Sequence, residues 1–198
     1  RTFGGAELFM DDMQLTPQAA GLLAEREPKG PAAGGAPAAP SRVPEALKEA
    51  GLVFWVSPGA EPAGTVRDMV SGAAGENRGA TISAEGERKC LEFRKGRVDY
   101  HASPATAAVT TSGSVCVWIK IEDVTQWGGI LTRGEGPSDD FSVWVDNGRF
   151  AVWFNYPLTA PRRAGEGRGY FYAKSTLGVG LWVFCCAVWD GKSVTIYI

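Results

Sequence analysis

Short runs in which apolar and polar residues alternate fill most of the chain after residue 51. Alternation with a period of two residues is typical of β-strands that have one buried face. Gly, Pro, Asn and Asp separate nearly all of these runs, so we predict strands at residues 52–56, 81–82, 89–93, 98–100, 114–121, 129–133, 141–145, 149–155, 169–173, 182–188 and 194–198. Many short strands joined by turns predict an all-β fold, an antiparallel two-sheet jelly-roll sandwich.

The stretch FSVWVDNGRFAVWFN, residues 141–155, predicts a hairpin. Asn147-Gly148 suits the two positive-φ positions of a type I′ turn, which would set Asp146 opposite Arg149. One face then carries only apolar residues and must be the core side; it consists of Phe141, Val143, Val145, Phe150, Val152 and Phe154. The other face carries Ser142, Trp144, Asp146, Arg149, Ala151, Trp153 and Asn155, with Trp144 diagonal to Trp153.

A second hairpin is predicted in LWVFCCAVWDGKSVTIYI, residues 181–198, with its turn at Asp190-Gly191. Its core face carries Val183, Cys185, Ala187, Val194, Ile196 and Ile198. The reverse face is mixed, which suggests partial cover or the wall of a groove; it carries Trp182, Phe184, Cys186, Val188, Ser193, Thr195 and Tyr197.

The first fifty residues differ from the rest of the chain in composition and in the pattern of apolar residues. Residues 1–26 contain a strand-like run, AELFMDDMQL, and a helix-like turn. Residues 27–42 are rich in Pro, Ala and Gly and have no apolar period, which is typical of a flexible linker. VPEALKEAG then predicts a short helix that ends at Gly51, so we assign residues 27–50 to a linker with a short helix.

The overall charge restricts the classes of partner. The formal net charge of −2 gives no long-range attraction for a polyanion, so we expect no nucleic-acid partner. The sequence has no apolar run of the length that a membrane-spanning helix needs, so we expect no membrane insertion.

The four cysteines form no CxxC pair, and with a single histidine they predict no structural zinc site. Cys185 and Cys186 are neighbours on a strand and point to opposite faces, so they should not pair with each other. Two interpretations stay open: buried thiols, or a Cys90–Cys116 bridge, which would require adjacent strands and an oxidising compartment.

Several segments, taken in order, resemble laminin G-like domains of the concanavalin A-like jelly-roll superfamily. They are GLVFWVSP, DMVSGAAGENRGA, CLEFRKGRVDY, SVCVWIKI, GGILTRG and the two hairpins. Members of this family often have an Asp-x-x-Gly motif before an Asn/Gly-rich turn, and the region of Asp68, Gly72, Asn77 and Gly79 resembles it, with three residues between Asp68 and Gly72. They also have a tryptophan, an alternating strand, an Asp-Gly turn and a strand with a final aromatic residue, matched by Trp182, Asp190-Gly191 and Tyr197.

The resemblance covers residues 51–198 and implies that this domain is incomplete at its C-terminus, because the strands expected after Tyr197 are missing. Residues 6–20 resemble the closing strand of such domains. We therefore expect residues 1–26 to be the C-terminal end of a preceding domain; the alternative is that this strand folds back and completes the sheet of the same domain. The resemblance also implies a multidomain protein that is secreted or part of the cell envelope, extracellular or periplasmic.

Catalysis is not predicted. Glycoside hydrolases of this superfamily need two carboxylates at a fixed separation, and no strand of this sequence supplies such a pair. The resemblance allows a calcium ion, since laminin G-like domains bind Ca²⁺ through loop oxygens, and Asp139 and Asp140 are the nearest candidate ligands. We expect no other cofactor.

The candidate ligand-binding residues are Trp144, Trp153, Arg149, Asn155, Ser142, Arg162 and Arg163. If Trp144 and Trp153 face solvent, they form an aromatic platform for a sugar ring; if a loop covers them, they form a second small core. Arg162 and Arg163 suit a carboxylated or sulfated glycan or an acidic protein. We therefore predict a non-catalytic module that binds carbohydrate or an extracellular protein. The alternatives are an accessory or catalytic sandwich of a glycan-active enzyme and a ligand-free structural spacer.

Overall fold

The computed structural model describes residues 8–16, 43–58, 65–86, 88–101, 104–107, 109, 112–125, 127–134, 141–154 and 169–198. The helices in these ranges are α1 (Glu45–Glu49) and α2 (Pro104–Ala107). The strands are β1 (Leu8–Thr16), β2 (Phe54–Val56), β3 (Glu76–Arg78), β4 (Thr81–Glu85), β5 (Arg88–Phe93), β6 (Arg97–Asp99), β7 (Gly113–Ile121), β8 (Gly128–Arg133), β9 (Phe141–Asp146), β10 (Arg149–Phe154), β11 (Tyr170–Tyr172), β12 (Val183–Trp189) and β13 (Val194–Tyr197). The predicted all-β antiparallel architecture is confirmed.

The larger sheet has seven strands in the order β13-β12-β7-β1-β5-β4, with β2 paired to β1 outside this path. β7 shows how the sequence builds it. Val115, Val117, Ile119 and Ile121 are buried, while the residues between them are only partly buried. The period of two therefore gives this central strand one core face and one outer face.

β1 lies in the middle of this sheet, antiparallel to β2, β5 and β7. Its register with β7 shifts between Asp11 and Gln14, as at a β-bulge. This placement corrects our first expectation, because residues 8–16 complete the sheet of the same domain instead of closing a preceding one. The sequence could not decide this, since the pairing is between segments about a hundred residues apart and has no local signature.

The second sheet has four strands in the order β11-β10-β9-β8. Its central hairpin follows the sequence prediction residue by residue: Asp146 pairs with Arg149, and Phe141 pairs with Phe154. Asn147 and Gly148 have φ values of 47° and 70°, as a type I′ turn requires. The register was predictable because this turn fixes it.

The two sheets share one hydrophobic core. Trp189 of β12 contacts Phe141 of β9 and Phe154 of β10, with ring centroids 5.5 and 5.2 Å apart. The six residues predicted for the core face of the first hairpin all belong to this buried cluster, together with Cys185 and Ala187 of the second hairpin.

The second hairpin differs from its prediction in the length of the turn. Trp189 pairs with Val194 and Ala187 with Ile196, so the turn contains four residues, Asp190 to Ser193. The Asp190 carboxylate accepts hydrogen bonds from the backbone N–H groups of Lys192 and Ser193, at 2.9 and 2.7 Å. A side-chain cap of this kind favours the longer turn. Because the shift is an even number of residues, the predicted core side is kept by five of its six residues, namely Val183, Cys185, Ala187, Val194 and Ile196. Ile198 is the exception, since it is exposed.

A loop around Asp68 connects the start of the domain to the larger sheet. The buried Asp68 carboxylate accepts hydrogen bonds from the backbone N–H groups of Trp55, Val70 and Ser71 at 3.0, 3.0 and 3.2 Å, and from the Ser71 hydroxyl. Further on, Asn77 closes the next turn through two 2.8 Å bonds with Ala80. Asp68 and Asn77, which carried the resemblance in this region, are thus turn-forming residues in this chain.

Helix α1 ends as the sequence predicts. Gly51 has a φ of 82° and donates its N–H to the Lys48 carbonyl, while Leu52 donates to the Leu47 carbonyl, both at 2.9 Å. These two bonds form a Schellman motif, which is why a glycine follows the helix. Leu47 packs on a small cluster that contains the buried Trp55, so the helix is attached to the start of the domain.

The cysteines are arranged differently from the predicted bridge. Cys90 lies on β5 and Cys116 on β7, and β1 separates these strands. Strands two positions apart are about 9.5 Å from each other, beyond the reach of a disulfide. The Cys90–Cys116 pairing is therefore wrong. Cys185 belongs to the core cluster, whereas Cys186 faces the other way toward Cys116, as expected for neighbours on a strand.

Candidate functional site

Five aromatic side chains lie together on the outer face of the four-stranded sheet, and we call this group the aromatic face. It consists of Trp127, Trp144, Trp153, Tyr170 and Tyr172. The centroid of Trp144 lies 5.3 Å from that of Trp127 and 5.5 Å from that of Tyr170. Tyr170 in turn lies 6.3 Å from Trp153 and 6.5 Å from Tyr172. The rings therefore form one continuous set.

The strand register explains why these rings meet. Trp144 pairs with Gly129 on one side and with Ala151 on the other, so small residues flank the largest one. Trp153 lies opposite Tyr170, and Tyr172 lies opposite Ala151. Small neighbours leave room above the sheet, and the rings of Trp127 and Tyr170 lie against Trp144 there.

The members of the aromatic face differ in exposure. Trp144 is only 4% exposed, and Trp153 is partly buried. Trp127, Tyr170 and Tyr172 are exposed to 43%, 41% and 37% of their surface. The two alternatives that we left open turned on whether Trp144 and Trp153 face solvent. Trp144 is buried, and the exposed rings are three others, with Trp127 and Tyr170 lying against Trp144.

A charged edge borders the aromatic face at the hairpin turn. The Arg149 guanidinium carbon lies 4.6 Å from the centroid of the Tyr172 ring, in cation–π contact. The Tyr172 hydroxyl donates a hydrogen bond to Asp146 Oδ2 at 3.1 Å. Burial raises the pKa of this hydroxyl, and the bond to Asp146 raises it further. Tyr172 is thus held as a neutral donor between a cation and a carboxylate.

Two buried donors of the aromatic face find no acceptor in the part of the chain that the structure describes. The indole N–H groups of Trp144 and Trp153 are both buried there and have no hydrogen-bond partner among the described residues. A buried donor without a partner costs roughly 1–3 kcal/mol. An acceptor placed at either indole N–H would therefore stabilise the aromatic face by an amount of this order.

An open floor extends beside the rings. An added Cβ at Gly129 would meet no described atom within 4 Å. Gly129 is exposed and lies next to Trp144 across the strand pair. The backbone of β8 is therefore accessible where a flat ligand could lie along the edge of Trp127.

The remaining predicted site residues divide into two groups. Ser142 is buried and Arg149 is partly buried, both at the aromatic face, so these residues are brought together with Trp144 and Trp153. Asn155, Arg162, Arg163, Asp139 and Asp140 lie outside the described residues. Within the described ranges no group of three or more His, Cys, Asp or Glu side chains is placed to hold a metal ion.

The candidate ligand-binding residues that we predicted from the sequence did not include Trp127, Tyr170 or Tyr172. Trp127 precedes Gly128-Gly129, and a tryptophan beside two glycines in a strand is the signal that could have identified it, because glycines in a strand leave space for a close neighbour. Tyr170 and Tyr172 alternate in YFY, which places both rings on one face.

The outer face of the larger sheet carries a second, more polar patch. Lys120 Nζ lies 3.0 Å from Glu85 Oε1, and the Trp182 indole donates to Glu85 Oε2 at 2.8 Å. Trp118 and Phe184 pack beside them with centroids 5.5 Å apart. Because these polar groups pair with one another, the patch offers a ligand fewer unsatisfied groups than the aromatic face does.

None of the helices in the described residues is both long enough and apolar enough to span a bilayer.

Two antiparallel sheets around a shared core, one of them presenting a continuous outer surface of rings, define a jelly-roll sandwich of the concanavalin A-like class. A laminin G family model, Laminin_G_3, described as the concanavalin A-like lectin/glucanases superfamily, matches residues 95–198, and the chain belongs to this family. The predicted resemblance is confirmed. No curated protein and no solved structure gives a significant match to the chain.

Proposed function

We propose that the chain is a non-catalytic recognition module that binds carbohydrate through the aromatic face. The observation that carries the proposal is the contact of exposed Trp127 and Tyr170 with the buried Trp144. Exposed rings held in place by a buried ring are suited to stacking on the apolar face of a sugar, because they lose little freedom on binding.

The polar groups at the edge support the choice of a sugar. A hydroxylated ring needs donors and acceptors beside the stacking surface to fix its orientation. Arg149, Asp146 and the Tyr172 hydroxyl supply both kinds at one end of the aromatic face. The family description includes lectins, which agrees with this class of ligand.

The environments of two carboxylates argue against a catalytic acid at either position. A hydrolase needs one carboxyl group that stays protonated near neutral pH. Hydrogen bonds from Ser83 and Arg94 lower the pKa of Glu92, and bonds from the Thr125 backbone and hydroxyl lower that of Asp123. Both groups are held as carboxylates, which makes neither of them suitable as a general acid.

Laminin G-like domains are commonly extracellular. A carbohydrate ligand fits such a location, and we propose that the protein acts outside the cell or in the cell envelope. Calcium at Asp139 and Asp140 stays a proposal that the binding experiment includes.

The test is a glycan-array screen followed by calorimetry, with Ca²⁺ and with a chelator, on the wild type and on Trp127→Ala and Tyr170→Ala. Tyr197→Ala is the matched control, since Tyr197 is 40% exposed but lies on β13 of the other sheet. We expect glycan binding that both aromatic-face variants weaken at least about tenfold, or about 1.4 kcal/mol, and that the control retains.

Other results would overturn the proposal in recognisable ways. Binding that survives both variants would place the ligand elsewhere. A wild type that binds an extracellular protein but no glycan would identify the other partner class. Hydrolysis of an arrayed glycan would show an enzyme, and the absence of any ligand would favour a structural spacer.

A further inference from the structure

Cys116 and Cys186 lie directly opposite each other on neighbouring antiparallel strands, Cys116 on β7 and Cys186 on β12. Their sulfur atoms are 2.7 Å apart. A disulfide bond measures about 2.05 Å. Both side chains are on the outer face of the larger sheet, away from the core cluster that contains Cys185.

The backbone needs no rearrangement for these two residues to be joined. Directly opposite residues of an antiparallel pair have Cα atoms about 4.5 or 5.5 Å apart. Disulfides accept Cα separations of about 4.4 to 6.8 Å. We propose that Cys116 and Cys186 form a cross-strand disulfide by exchange with a small-molecule disulfide such as oxidised glutathione.

The two sulfur atoms have different roles in this exchange. Cys116 is partly exposed, whereas Cys186 is fully buried. The Cys116 thiolate therefore attacks the small-molecule disulfide first, whose S–S bond breaks and releases one glutathione thiolate. The Cys186 thiolate then attacks the Cys116 sulfur of the mixed disulfide and releases the second glutathione. In total, two protein thiols are oxidised, one disulfide is reduced to two thiols, and the two cysteine protons pass to the leaving thiolates.

The second step should depend on pH. The hydrogen bond with Cys116 and burial both raise the pKa of the Cys186 thiol. Cys186 is therefore almost entirely protonated at neutral pH, and its thiolate fraction grows about tenfold for each unit of pH. We expect the bridge to form slowly at pH 7 and faster at pH 8 and pH 9.

The bridge would join two residues that are neighbours in the fold but far apart in the sequence. Cys116 and Cys186 are 70 positions apart, and the segment between them contains β8 to β11, the whole four-stranded sheet with its aromatic face. Closing a loop of this length restricts the unfolded chain strongly. For a domain of this size we expect the oxidised protein to melt roughly 5–15 °C above the reduced protein.

The test is peptide mapping of the folded chain by mass spectrometry after incubation with oxidised glutathione. We expect one linked peptide pair, Cys116 with Cys186, and a protein lighter by the mass of two hydrogen atoms. The same treatment in denaturant is the control, because unfolded chains should give mixed pairings. Cys90→Ala and Cys185→Ala should still form the bridge, and dithiothreitol should return the melting temperature to that of the reduced protein.

Three outcomes would overturn the proposal. They are full alkylation of both thiols after the incubation, a linked pair that involves Cys90 or Cys185, and a reaction that stops at the mixed disulfide of Cys116 with glutathione. Since the mapping uses the wild-type chain, the decision does not depend on whether Cys116→Ala and Cys186→Ala fold. Where they do fold, their melting temperatures should no longer respond to dithiothreitol.

Discussion

The ring of Trp189 in the seven-stranded sheet packs on the ring of Phe141 in the four-stranded sheet, with centroids 5.5 Å apart. Both side chains are fully buried, and Trp189 also contacts Phe154. This aromatic contact joins the two layers at the point where the second hairpin begins to turn.

Replacing Trp189 should therefore weaken the packing between the two sheets. We expect Trp189→Ala to lower the free energy of unfolding by about 3–5 kcal/mol, because it removes a large ring and leaves a cavity between the sheets. Urea denaturation followed by circular dichroism measures the change. Tyr197→Ala, on an exposed ring, should cost less than about 1 kcal/mol. Equal midpoints for the two variants would contradict the assigned role of Trp189.

We expect the folded state to be more stable with phenylalanine than with tyrosine at position 100. The Tyr100 ring packs edge-on against Phe54 with centroids 5.0 Å apart, but its buried hydroxyl has no hydrogen-bond partner among the described residues. Tyr100→Phe keeps the ring contact and removes the unsatisfied group, so we expect a gain of about 1 kcal/mol at pH 7. A loss of stability measured by urea denaturation would mean that the hydroxyl is bound after all.

The same residue predicts a pH dependence at alkaline pH. Burial raises the pKa of Tyr100 far above its usual value, and the charge of Asp68 raises it further. The folded state therefore keeps the proton while the unfolded state loses it above about pH 10. The contribution of Tyr100 to stability is complete below that pH and is lost as the pH rises. Melting temperatures between pH 8 and pH 11 should fall less steeply in Tyr100→Phe than in the wild type.

Asp68 should be essential to the loop that it organises. Asp68→Ala leaves the buried backbone N–H groups around it without their acceptor, and we expect a loss of about 3 kcal/mol. Asp190→Ala is the matched control, since Asp190 also caps a turn but is exposed, and it should cost less than about 1 kcal/mol. Urea denaturation measures both variants, and equal losses of unfolding free energy in Asp68→Ala and Asp190→Ala would contradict this prediction.

Gly129 allows the ligand surface to be blocked without removing a ring. Its backbone has no positive φ, and an added Cβ meets no neighbour within 4 Å. We expect Gly129→Leu to fold with unchanged stability and to weaken glycan binding at least about tenfold, because the new side chain fills the space beside Trp144. Thr195→Leu, an exposed site on the other sheet, should bind as the wild type does. Calorimetry with the glycan found in the array distinguishes them.

Local signals in the sequence specified the hairpins and their core faces. Asn147-Gly148 determines one turn type, and that turn fixes the register of β9 and β10. Alternation then places each side chain of these strands on a face. The four-residue turn after Trp189 was harder to predict from the sequence, because the hydrogen bonds of the Asp190 side chain select it over a two-residue turn.

The alternation of apolar and polar residues does not predict which distant strands pair with each other. The insertion of β1 between β5 and β7 involves residues far apart in the chain, and it also decides that Cys116 faces Cys186 rather than Cys90. The exposure of the aromatic face has the same origin. Whether Trp144 reaches solvent depends on Trp127 and Tyr170, which come from other strands or their ends.

The position of β1 has a consequence for how the molecule can be divided. Main-chain hydrogen bonds to β2, β5 and β7 hold this strand in the middle of the sheet, whereas every other strand of the sheet lies after residue 53. A peptide of residues 8–16 and a chain of residues 43–198 would together contain all seven described strands of this sheet as two molecules. The fold is therefore suited to use as a split protein, in which a labelled nine-residue peptide marks the larger fragment by completing it.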